Sequence, residues 1–362
     1  MSAFTNRPGA VSGDAGVVHY GNPLGEQRQL AEGQAIVDRT DRRVIAVAGV
    51  DRLTWLDSIA SQALASLEPG RGTELLILDP QGRVEHAASV VDDGETTWLI
   101  VDAGDADGLG GWLRRMVFRS RVEVRDETDA AVIAFAGDAG ARAAVLAVAP
   151  GAPIWTDPWS AVSPGGWQYA PIDPHPGADF AWCEAIVPAE ARDELAAGDT
   201  AAAGLLAAEA LRIAAWRPRW ANEVDERSLP HEVDWLRSAV HLEKGCYRGQ
   251  ETVAKVHNLG HPPRRLVMLH LDGSDSVLPQ PGAPVANGDD IVGTVTSSAL
   301  HYQAGPIALA IITRRVPDDV ELTVRAGDAI IAAGQEVIVP ADAGATASIP
   351  RLPRLNRRAP AR

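Results

Sequence analysis

The residues best suited to chemistry lie in one stretch, Lys244-Gly245-Cys246-Tyr247-Arg248-Gly249-Gln250-Glu251. A thiol with a pKa near about 8.5 is only a few per cent thiolate at neutral pH. Lys244 and Arg248 flank the sulfur in sequence and can stabilise its anion. Gly245 and Gly249 permit backbone conformations that a Cβ would block. The following run, GQETVAKVHN, reads as a helix, with Glu251 and Lys255 at a favourable i,i+4 step. Gly260 and the pair Pro262-Pro263 stop it. Cys246 would then sit just before a helix N-terminus, where the dipole and free N–H groups favour anions. The chemistry expected is that of a reactive thiol, with Cys246 and Lys244 as the catalytic pair. The competing reading is a small buried cysteine in a glycine-rich turn. The other cysteine, Cys183, stands between Trp182 and Glu184 and reads as core.

Other side chains add less. His86 follows Glu85 and can titrate near neutral pH. His257 and His261 have i,i+4 spacing, but Gly260 and the prolines should end the helix between them, so no metal site is expected. Two cysteines exclude a disulfide framework and fall short of the roughly four thiolates that usually hold an iron–sulfur cluster. A reducing cytoplasm is the simplest compartment. The net charge of −15 argues against nucleic acid as a partner. No apolar run reaches the roughly 20 residues of a membrane span, and the first residues lack the layout of a signal peptide.

The elements that must position the thiol are of mixed type. Residues 1–28, rich in Gly, Pro and Asn, read as a flexible arm. A first α+β domain is expected over 29–145. It opens with the strand RVIAVAG and a helix with Leu53, Leu56, Ile59, Ala60 and Ala63 on one face, capped by Asp51. A β-hairpin turns at Asp79-Pro80-Gln81-Gly82. A second α+β domain over 146–262 carries the motif. Its start is Pro- and Trp-rich, and its four tryptophans want burial. An Ala/Leu helix ends at Pro218, and a short helix opens at Pro230. Beyond the prolines, 263–341 holds only short β-type runs, which suggests a small barrel or sandwich of roughly 75 residues. Residues 342–362 end in five arginines and read as a flexible basic tail.

The motif KGCYRGQE resembles the signature of the YgfZ family, folate-binding proteins related to the glycine-cleavage T-protein. The likeness runs from about Leu30 to about Pro340. It takes in the strand–helix opening, the PQGRV hairpin, the LPHE segment and the terminal barrel. The resemblance implies an α+β, T-protein-like fold: α/β sheet domains followed by a small C-terminal β-barrel. It implies tetrahydrofolate or a derivative as ligand, a role in making or repairing iron–sulfur clusters, and client or assembly proteins as partners. Carried over, Cys246 is the reactive thiol, and Lys244, Gly245, Tyr247, Gly249, Gln250 and Glu251 fall on the motif. We expect Tyr247, Gln250, Glu251 and Trp216 to bind the cofactor. Two acidic positions of the T-protein relatives are not matched. After the hairpin turn this chain has Glu85 and His86, and in the helix segment LRIAAWRP it has Ala214 and Trp216. A pterin needs a buried acceptor for its amino group, and that segment supplies none locally. The alternative is a tetrahydrofolate-dependent one-carbon, aminomethyl-type transferase.

Overall fold

The computed structural model describes residues 2–274 and 277–347. The arginines of the expected basic tail lie outside the described residues. The hairpin forms as expected: Gly72–Leu78 pairs antiparallel with Val84–Asp92, and Ile77 stands opposite His86. The Asp79 carboxylate closes the turn by accepting the N–H groups of Gln81 and Arg83. Val84–Asp92 pairs on with Thr96–Asp102, then Arg42–Ala48 and Glu123–Asp126, completing a five-stranded antiparallel sheet. The helices Arg52–Ile59 and Ala106–Met116 cover one face, burying Leu56, Leu109 and Leu113 against Ile45, Leu75 and Leu99. Each such side chain contributes roughly 1.5–3 kcal/mol by leaving water. Asp51 does not cap the first of these helices. Its carboxylate accepts instead from the backbone N–H and guanidinium of Arg121, which brings two loops together.

The second sheet has the order Ile154–Thr156, Trp182–Pro188, Ala130–Ala136, Ala35–Asp38, Ala201–Ala202. It draws strands from both sides of the boundary expected at 145/146, so that boundary cuts through this sheet. The reason lies in Ala130–Ala136, whose Val132, Ile133, Ala134 and Phe135 are all buried. A strand apolar on both faces is stable only between neighbours and under cover on both sides.

The segment expected as a flexible arm, 1–28, is built into the fold over its described residues 2–28. Phe4 is fully buried with Val17, Ile36 and Ile133, and Val11–Gly13 pairs with Gly16–His19. Asn22 caps the helix Pro23–Ala31 through the Gly25 N–H, and Pro23 occupies its first turn. The residues that read as flexibility act here as turn and cap formers. In the Trp-rich segment Trp155, Trp159 and Trp182 are buried, but Trp167 is 43 % exposed and edge-on to His257.

The C-terminal part is a closed six-stranded barrel, from Arg264–Leu271 to Ala329–Val337. Val267, Leu269, Val295 and Ala310 fill its interior. The alternate residues Leu266, Met268, Ile307 and Leu309 face out and join a cluster with Trp216, Trp235 and Tyr247. Period-2 alternation thus gives one strand two cores, which holds the barrel against the sheets. Among the described residues, no helix is long and apolar enough to cross a membrane.

Candidate functional site

A cavity of about 330 Å³ is lined from both sheets and by the helix Leu205–Ala214. Its aromatic walls include Trp155, Phe180, Trp182, Trp220 and Trp235. Phe180 and Trp182 are parallel, with centroids 5.7 Å apart. Arg217 crosses one end just after that helix. Its Nε donates to Asp157 Oδ2 at 2.9 Å and its Nη2 to Glu74 Oε2 at 2.7 Å. The indole N–H of Trp235 also donates to Glu74 Oε2, at 3.2 Å. The other oxygen, Glu74 Oε1, is buried with no hydrogen-bond partner. Trp159 lies under the Arg217 guanidinium at 5.2 Å. Burial pushes the Asp157 carboxyl up to about 6, with Arg217 opposing and the Glu74 charge adding.

At the other end three arginines meet two aspartates. Asp102 accepts from Arg219 at 2.7 Å and from Arg42 at 3.1 Å, while Arg39 forks onto Asp41. Burial alone would raise Asp102, but Arg42 and Arg219 outweigh it and hold the carboxyl below its usual range. Such a cavity suits a flat, polar heterocycle: rings can stack on the indoles while carboxylates and guanidinium groups meet its edge.

The thiol lies apart from this cavity. Cys246 is exposed and unbridged, so the buried-cysteine reading fails, whereas Cys183 is core, as its neighbours implied. Burial raises the Cys183 thiol above its ordinary value. The flanking cations are not arranged around the sulfur of Cys246. The Lys244 ammonium donates to the carbonyl oxygens of Asp57, Ala60 (3.0 Å) and Gln62 (2.8 Å), and its side chain is 3 % exposed. It caps the C-terminus of the helix Arg52–Ile59, where a cation complements the dipole. Burial lowers its pKa, with the Asp57 carboxylate opposing. Arg248 donates to Glu85 at 2.6 Å. Both cations are therefore occupied in clamping the turn. Nor does the sulfur sit directly at a helix start, because the helix begins at Gln250 with Gly249 as its cap.

Gly249 has φ +84°, and a Cβ there would lie 2.5 Å from the Asp79 carbonyl oxygen and 3.0 Å from Gly82 Cα. Side chains cannot enter that contact, so the motif glycine is required where the thiol turn meets the hairpin turn. Tyr247 is buried beneath the Lys244 ammonium, at 5.5 Å. Gln250 donates to the Lys244 carbonyl at 3.3 Å, and Glu251 is exposed. Trp216 is buried, donating towards the Met268 sulfur and edge-on to His175. None of these four lines the central cavity. Tyr247 and Trp216 are core side chains, and Gln250 braces the turn.

The cavity's own polar residues, Glu74, Asp157, Arg217 and Trp235, were not singled out from sequence. A signal was present: Glu74 is the one charge in the strand GTELLIL. His86 pairs with Asp105, Nδ1 to Oδ1 2.5 Å, and faces a neighbouring cavity lined also by Glu85, Trp112 and Trp220. His257 bonds the Tyr169 hydroxyl and His261 the Ala343 carbonyl, so the two do not converge.

Residues 264–346 match the model of the glycine cleavage T-protein C-terminal barrel domain. A solved aminomethyltransferase T of the glycine cleavage system, from Bartonella henselae, superposes with a TM-score of 0.70 over 93 % of this chain and 95 % of that one, at 20 % identity. This chain has the T-protein fold. The aminomethyltransferase of Rippkaea orientalis is 27 % identical over 297 residues, 74 % of this chain and 75 % of the relative. That of Symbiobacterium thermophilum is 26 % identical over 302 residues, 78 % and 79 %. Both sheets and the helix Leu205–Ala214 line the aromatic cavity, while the KGCYRGQE turn packs outside it on the hairpin.

Proposed function

We propose that this chain is a folate-binding accessory factor in iron–sulfur cluster assembly or repair, the role implied by the YgfZ resemblance. Its partners would be client or assembly proteins of the cytoplasm, and its working thiol Cys246. The observation that carries this reading is an exposed, unbridged cysteine on a turn held by Lys244, Gly249 and Arg248. A thiol on a rigid turn can ligate the iron of a partner's cluster as thiolate, its proton passing to solvent. A buried one cannot. The folate part of the reading is supported by the central cavity, whose indoles offer stacking surfaces and whose Arg217, Glu74 and Asp157 gather polar groups at one end.

Deletion of the gene should lower the activity of cluster-dependent enzymes, and Cys246→Ser should fail to restore it. Full restoration by the serine variant would remove the thiol from the mechanism. Calorimetry with tetrahydrofolate and its 5-formyl form tests the ligand, and absence of heat at high micromolar concentration would exclude a folate role. The second reading is tetrahydrofolate-dependent aminomethyl-type transfer. It is favoured by the aminomethyltransferase names of the relatives. Turnover of an aminomethyl donor that survives Cys246→Ser would establish it in place of the first.

A further inference from the structure

The helix Ala106–Met116 is arranged around His86 at some cost to itself. A Cβ at Gly108 would lie 3.3 Å from His86 Cε1, so a glycine stands there although it weakens the helix. Asp105 holds the N-cap position, yet its carboxylate pairs with His86 Nδ1 and caps no helix N–H. A side-chain cap is worth about 0.5–2 kcal/mol. The imidazole is thereby fixed while 16 % exposed, and its Nε2 is accessible and has no partner among the described residues. His86 lines a cavity of about 630 Å³, and among the described residues Trp220 alone lines both this cavity and the central one. Trp112 and Arg115 follow Gly108 by four and seven residues, on the same helix face, and line it too. Arg83 enters from the hairpin. Most of the carboxylates there are occupied. Asp79 accepts the turn N–H groups, Glu85 is paired with Arg248, and Asp225 with Arg264. The charges left without an ion pair among the described residues are those of Arg83, Arg115 and Glu226, all three exposed.

We propose that this second cavity is a binding site for a planar ring carrying a phosphate group. The indoles of Trp112 and Trp220 offer the ring apolar faces. The forked guanidinium groups of Arg83 and Arg115 match phosphate oxygens. Protonated, His86 donates from Nδ1 to Asp105 and from Nε2 to the anion. Three separate donors suit the three acceptor oxygens of a phosphate better than the two of a carboxylate. The site stands apart from the folate reading, since Glu74, Asp157 and Arg217 line only the central cavity.

The test is calorimetry on the full chain with three probes that share one ring: 1-naphthyl phosphate, 1-naphthoate and the neutral 1-naphthol. The wild-type chain should bind the phosphate about tenfold or more tighter than the naphthol, and tighter than the naphthoate. Arg115→Glu, an exchange of an exposed side chain, should weaken the phosphate about tenfold or more and leave the naphthol unchanged. His86→Asn, shown folded by its thermal transition, should also weaken it. No heat with the phosphate at millimolar concentration would overturn the proposal, as would equal affinity for phosphate and naphthol. Naphthoate binding as tightly as the phosphate would overturn the choice of phosphate. An affinity untouched by Arg115→Glu would put the ligand elsewhere, the central cavity included, and would equally end the proposal. Should His86→Asn not fold, Arg115→Glu decides alone. None of these outcomes bears on the folate reading.

Discussion

Arg217 and Arg248 each pair with a glutamate of the same hairpin, Glu74 on its first strand and Glu85 on its second. The two pairs differ in what surrounds them. Arg217 and Glu74 are 8 % and 5 % exposed, beside Asp157 and several indoles, whereas Arg248 and Glu85 are each 35 % exposed. In the cavity the charges are desolvated, so their geometry is tightly held and their loss is expensive. On the thiol turn water screens them, and the pair orients the loop at little energetic consequence. The protein thus keeps its rigid polar recognition inside, on the strands of the hairpin, and its accessible sulfur outside, near the hairpin's turn.

The largest expected break in that comparison is Arg217→Ala. It leaves Glu74 and Asp157 buried together without their cation. Chemical denaturation should show a loss of about 3–5 kcal/mol, with thiol alkylation in the folded state unchanged. Next is Lys244→Met, which removes an ammionium-type cap from three carbonyl oxygens. It should cost about 1–3 kcal/mol and leave the alkylation rate of Cys246 in the folded state unchanged. A clear fall in that rate would show that Lys244 does act on the sulfur.

The buried side also carries a pH signature. Asp234, next to the cavity-lining Trp235, is pushed up to about 7, by burial first, against the N–H of Tyr169 and the charge of Arg237. Its unfolded value is near about 3.9. The folded chain therefore holds a proton that the unfolded chain releases. This contribution is fully present below about pH 4, declines as pH rises, and is lost above about 7. Asp234→Asn should remove that downward slope, measured as the difference in unfolding free energy between variant and wild type across the interval. The smallest effect expected is that of Arg248→Ala, about 0–1 kcal/mol in denaturation.

Much of this was legible beforehand because it is local. The hairpin follows from the Asp79-Pro80-Gln81-Gly82 turn, the barrel from evenly spaced β-type runs, and the helix after Gly249 from its periodicity and stop signals. The motif pointed to the right turn. What failed were inferences from sequence adjacency to spatial adjacency. Lys244 and Arg248 flank Cys246 in the chain, yet their charges are committed to Gln62 and Glu85, far away in sequence. Residues 1–28 looked mobile because the partners that bury Phe4 lie more than a hundred residues on, at Ile133 and Phe135.

By itself the sequence determined most element types after residue 28, the terminal run of short strands and the turn that carries the KGCYRGQE motif, since turn chemistry, periodicity and special glycines act over a few residues. Only the tertiary structure decided that Glu74, Asp157, Arg217 and Trp235 share one cavity, and that one carboxylate oxygen there lacks a donor. Desolvation is the reason: a charge acquires its energetic meaning from everything packed around it, and that packing is assembled from strands and loops distant in the chain.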